Sequence, residues 1–132
     1  MKKTISQLTK KADELFSKFI RLRDSEDGEK GYCRTCGYYG EVKYMNAGHF
    51  QSRSHKGIRW DERNVHLQCG TCNNFRNGEQ VKMARYIDEK YGEGTALELE
   101  GLRHLPAPTR AELEEIIEKY RPIKGFPPNR YA

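Results

Sequence analysis

Apolar residues recur with a helical period near both ends of this chain and in shorter, broken patterns between them. Near the start, Ile5, Leu8, Ala12, Leu15, Phe16, Phe19 and Ile20 follow one another at helical spacing, and Thr4 with Gln7 has the spacing of a capping box. This predicts an amphipathic helix over residues 5–23. Its apolar stripe suits either the rest of the chain or a second copy. Near the other end, Thr109 with Glu112 repeats the capping spacing, and Leu113, Ile116 and Ile117 predict an inward face for a helix over residues 111–120.

Between these helices the period shortens. Residues 24–31 read as a charged turn, and residues 41–44 and 47–51 as short strands about a Met45-Asn46 turn. Residues 52–63 form a polar loop, and residues 64–68 alternate as a strand. Cys72 leads into a helix start, Gly78 breaks it, and residues 79–91 continue helically with Val81, Ala84, Tyr86 and Ile87 as the apolar set. Gly92 and Gly94 end that helix, residues 96–102 predict a shorter one, and Pro106 and Pro108 stiffen a linker. The tail from Pro122, with Pro127 and Pro128, reads as extended. The class is α+β. Three segments follow: an N-terminal helix over 1–30, a central module over 31–91 and a helical extension over 92–132.

The cysteines change the picture most. Cys33 and Cys36, then Cys69 and Cys72, form two CxxC pairs with 32 residues between them, where a plain zinc ribbon has about 15 to 20. Two such pairs can turn four thiolates toward one tetrahedral ion about 2.3 Å away, which predicts structural zinc. Two disulfides or four reduced thiols are the alternatives. With 36% hydrophobic and 33% charged residues the core is modest, so zinc, contributing about 10 kcal/mol or more, would be needed to hold the centre.

A net charge of +5 favours a polyanionic partner. Residues 31–90 hold ten bases against six acids, so the positive field gathers on the cysteine module. The basic start is followed by no apolar run, which predicts neither a secretory signal nor a membrane span. With reduced cysteines, that places the expected compartment in the cytoplasm.

Within the cysteine frame, Ala47-Gly48-His49-Phe50, then Asp61 and Asn64, then Cys69 through Arg76 (CGTCNNFR) resemble the HNH, or ββα-metal, nuclease motif. More narrowly, GHFQSR, NVHLQC and the preceding helix resemble the NinG/Rap family of lambdoid phage endonucleases, over about residues 2–126 and most specifically over 33–78. The resemblance implies a ββα-metal core and cleavage of Holliday junctions and other branched DNA in phage recombination. It also implies a catalytic Mg²⁺ or Mn²⁺ beside the zinc.

Residue by residue, the resemblance makes His49 the general base, a role a neutral imidazole can fill near neutral pH. Asn73 becomes the ligand of the catalytic ion through its amide oxygen, with Asn74 as the neighbouring alternative and helix capping as the bland one. Asn64 ties the hairpin loop and orients the base. Gly48 departs from the many relatives with Asp before the base, so one carboxylate is missing. His66 is the first substitute ligand, ahead of His55 and Asp61, although a packing role fits it equally. Arg53, Lys56, Arg59 and Arg76 are the expected DNA contacts, with solvated surface charge as the alternative.

Three functional classes remain: a branched-DNA endonuclease, implying a homodimer if it cuts a junction twice; a non-catalytic zinc module that binds DNA or protein; and an HNH endonuclease preferring duplex DNA.

Overall fold

The computed structural model describes residues 2–123; the proline-rich end of the tail lies outside the described residues. Helix α1 (Ile5–Arg23) starts at Thr4, whose hydroxyl accepts from the Gln7 backbone while the Gln7 side chain accepts from the Thr4 backbone. The same reciprocal cap opens α4 (Arg110–Tyr120) at Thr109 and Glu112. Both helices begin within a residue of where the capping pattern places them.

The α1 stripe finds its partner inside the chain. Leu8 and Ala12 pack with Leu113 and Ile117 of α4, and Phe16 and Ile20 pack with Tyr120 and Val65. All four α1 residues are buried. The surface that the sequence offered to a second copy is therefore covered, because α4 supplies an apolar face of its own. Tyr120 also donates to Glu62 at 2.6 Å, tying α4 to the central loop.

Two small antiparallel sheets carry the centre. Strands β1 (Lys30–Tyr32) and β2 (Tyr39–Glu41) flank the first cysteine pair, with Lys30 opposite Glu41. Strands β3 (Asn46–His49) and β4 (Val65–Gln68) form the second sheet, with Gly48 opposite His66 and His49 opposite Val65.

The predicted strand over residues 41–44 is a correction. Val42–Tyr44 is a 3₁₀ turn, because Val42 drops its side chain into the core around Cys33, Met45, Leu67 and Cys72. The partner of β3 is thus the distant β4, reached through residues 50–64. The sequence also missed β1 and β2, each only three residues long.

After β4 the chain makes one π-helical turn, Thr71–Phe75. Asn77, Gly78 and Glu79 then adopt left-handed backbone conformations in succession before α2 (Gln80–Tyr91). The break expected at Gly78 is there, and it spans three residues. Met83 and Ile87 of α2 bury against Phe50 and against Ala96 and Leu99 of α3 (Thr95–Gly101). Among the described residues, no helix is long and apolar enough to cross a membrane.

Candidate functional site

The four cysteine sulfurs lie within 4.8 Å of one another, and Cys36 and Cys69 sulfurs are 3.7 Å apart. A tetrahedral ion with zinc–sulfur bonds of about 2.3 Å requires sulfurs about 3.8 Å apart, so the cluster can hold zinc. The same 3.7 Å separation is far from the roughly 2.05 Å of a disulfide bond, and all four cysteines are free. Burial pushes the Cys33 thiol up, but hydrogen bonds from the Thr35 side chain and from backbone groups of Cys69, Thr35 and Cys36 outweigh it and bring the thiol to about 6. Burial raises Cys36, and raises Cys72 to about 12. Four adjacent thiolates therefore need a cation to coexist. This is the only group of three or more His, Cys, Asp or Glu with metal-ligand spacing among the described residues.

His49 ends β3 and is half-buried. Its Nε2 stands 2.9 Å from the Arg59 carbonyl oxygen, which can only accept, so Nε2 carries the proton and Nδ1 keeps its lone pair. Burial pulls His49 down to about 4 despite that hydrogen bond, so the ring is neutral near neutral pH. Asn73, on the π turn, lines the same open cleft of about 390 Å³. His55 and Arg103 line it as well, and Arg103 is the one permanently charged lining residue among the described residues.

Asn64 is fully buried and sits behind the cleft. Its Oδ1 accepts from the Gln51 backbone at 2.7 Å, and its Nδ2 donates to the Gln51 and Ile58 carbonyls at 3.1 and 3.4 Å. It closes the ends of the 50–64 loop upon each other. Asp61 remains in that loop, paired with Arg63.

His66 is placed elsewhere. Residues opposite one another in an antiparallel pair share a face. His66 therefore shares one with Gly48, away from His49. Its Nδ1 accepts from Arg23 at 3.0 Å and its Nε2 donates to the Arg63 carbonyl at 2.7 Å. With no exposed surface and both ring nitrogens engaged, it cannot serve as a ligand in the cleft.

Gly48 has a structural reason. A Cβ there would lie 1.9 Å from Gln68 Oε1, so the room an acidic side chain would occupy is already filled. Gln68 is held by donating to the Gly78 carbonyl at 2.8 Å and to Thr35 Oγ1 at 3.2 Å. It connects the first cysteine knuckle, the exit of the π turn and the strand that carries His49.

The arginines divide. Arg53 and Arg59 both pair with Asp13 of α1, Arg53 remaining exposed and Arg59 mostly covered. Lys56 is exposed on its 3₁₀ turn, and Arg76 is exposed on the far side of the π turn. Asp13, Gln68 and Arg103 escaped sequence reasoning. Asp13 and Arg103 reach the site across a long stretch of chain with no local motif, and Gln68, although inside the NVHLQC run, takes no role from it.

A four-cysteine cluster able to bind a metal, beneath a strand pair whose edge opens into a polar cleft, defines a small α+β metal-site protein. A family model described as Bacteriophage Lambda NinG protein matches residues 1–124, and the chain belongs to that family. The chain is 29% identical over 113 residues to Protein ninG of Escherichia phage 933W, covering 85% of this chain and 54% of that one. Protein ninG of Salmonella phage P22 is 29% identical and that of Escherichia phage lambda 28%, each over 113 residues, 85% of this chain and 53% of the relative. The chain thus spans about half the length of these curated relatives. No solved structure matches it.

Proposed function

We propose that this protein is a metal-dependent DNA endonuclease of HNH type, with a structural zinc and a preference for Holliday junctions and other branched DNA in phage recombination. The observation that carries this reading is the shared cleft: a neutral imidazole with its Nδ1 lone pair available and the Asn73 amide line one polar opening.

His49 Nδ1 takes the proton of the attacking water, and the Arg59 carbonyl stabilises the imidazolium that forms. Arg103, whose Nε donates to Gln51, brings positive charge to the phosphate. Asn64 keeps the loop that supplies the Arg59 carbonyl in place. Asn73 would hold a hydrated hard cation through its amide oxygen, since Mg²⁺ commonly keeps several waters and needs few protein ligands. Such an ion would supply charge neutralisation at the scissile phosphate and leaving oxygen. Two cuts in a junction need two copies, which would meet through a surface other than the α1 stripe.

A second reading has its own support. Gln68 fills the place of the missing carboxylate, as befits a zinc module that binds DNA without cutting it. The deciding experiment incubates zinc-loaded protein with labelled four-way junction, linear duplex and single strand, each with Mg²⁺, Mn²⁺ or EDTA. Metal-dependent cutting of the junction, lost in His49→Ala, is the expected result. Binding without cutting in either metal selects the second reading, and preferential cutting of duplex removes the branch preference.

A further inference from the structure

The π turn is a wall with two sides. Asn73 faces the cleft just described, whereas Asn74, Phe75 and Arg76 line a separate groove on the other side, floored by Cys36, Cys69 and Cys72 of the metal cluster. Tyr38, Tyr39 and Tyr44 add further rings to its lining, Tyr39 lying against Tyr32, and Lys30 adds a second cation. Phe75 is 83% exposed, Tyr44 59% and Tyr38 58%, values that give these rings no part in the core. Two cations face one acid, Glu41, across the lining.

Nucleobases present flat faces and phosphates present negative charge, so single strands are held by rings interleaved with cations. A duplex cannot use such rings because its bases are already stacked. From this we propose that the groove binds unpaired nucleotides of DNA, with bases on Phe75, Tyr44 and Tyr38 and phosphates near Lys30 and Arg76. Because the π turn borders both openings, a strand lying in the groove is led over Phe75 toward Asn73 and His49. This deepens the endonuclease reading, and rests on it, by assigning the enzyme a single-stranded segment beside the cut, as a branch with unpaired arms provides and a fully paired four-way junction does not.

The test reads binding, not cleavage. Zinc-loaded wild type, Phe75→Ala, Tyr44→Ala and Phe75→Trp are titrated by fluorescence anisotropy against an oligothymidylate of about twelve nucleotides and an abasic strand with the same number of phosphates. Wild type should favour the thymidylate by about tenfold. Phe75→Ala and Tyr44→Ala should each remove most of that preference without changing zinc content, and Phe75→Trp should keep it. Equal affinity of wild type for the two strands, or an unchanged preference in both alanine variants, overturns the proposal. His49→Ala separates the two claims, since it should lose cleavage and retain the preference. A preference that persists in a protein that never cuts supports the groove and sinks the nuclease. Cutting without any preference does the reverse.

Discussion

The two faces of the β3–β4 pair carry one histidine each, and the rings look alike until their second nitrogen is followed. His49 and His66 both donate from Nε2 to a backbone carbonyl, and burial first and foremost brings both to about 4. At His66 the Nδ1 is taken by Arg23, itself paired with the buried Asp24. Burial alone would raise the Asp24 carboxyl, but Arg23, the Leu67 N–H and Arg34 hold it below its ordinary range. His49 instead lines the cleft, its Nδ1 without a hydrogen bond among the described residues. A lowered imidazole pKa is thus shared by a fastener and a prospective base, and only the use of the remaining lone pair separates them.

Removing the ion should erase the contrast altogether. Both faces belong to a strand that runs into Cys69, so a strong zinc chelator or Cys72→Ser should cost about 10 kcal/mol or more of folding free energy. Circular dichroism and urea titration would detect it, and an unchanged midpoint in zinc-free protein would show that the cysteines do not staple the fold.

The contrast itself is tested by variants on each face. His49→Ala should lower junction cleavage by about 10² to 10⁴-fold with zinc content and urea midpoint nearly kept. Asn73→Ala should also cut poorly, with partial recovery at high Mn²⁺ that His49→Ala lacks. Wild-type rates in both variants would locate the chemistry elsewhere. His66→Ala should do the opposite, losing about 2 to 4 kcal/mol of stability by leaving a cavity and an Arg63 carbonyl without its donor. A His66→Ala protein as stable as wild type would deny the fastener role.

Acid should weaken the fold through the same two rings. Between about pH 6.5 and about pH 4 the unfolded chain binds protons that the folded histidines refuse, so stability is present above the ordinary histidine range and falls as pH drops through that window. The buried His66 would account for up to about 3 kcal/mol of the loss. Urea midpoints at about pH 7, 5.5 and 4.5 measure this, and His66→Ala should flatten the slope more than His49→Ala. Equal slopes in wild type and His66→Ala would contradict the assignment.

The smallest effect belongs to Asp13, which fixes Arg59 from α1 and so steadies the carbonyl behind His49. Asp13→Asn should cost about 1 kcal/mol or less in stability while reducing cleavage several-fold. An effect on stability alone would leave the pairing as scaffolding for α1.

The sequence by itself determined what short-range physics governs. Capping boxes at Thr4 and Thr109 set both helix starts, because the bonds they make span three residues. The CxxC spacing brought each sulfur pair together, and Asn64 could be assigned to loop closure from its motif alone. The tertiary structure decided everything that depends on which face meets which. It put α4 over the α1 stripe, sent His66 and His49 to opposite faces, filled the space beside Gly48 with Gln68 and delivered Arg103 to the cleft. Local hydrogen bonds and periodicity are written in neighbouring residues, whereas a side chain's partner across a long stretch of chain is fixed only when the cores pack.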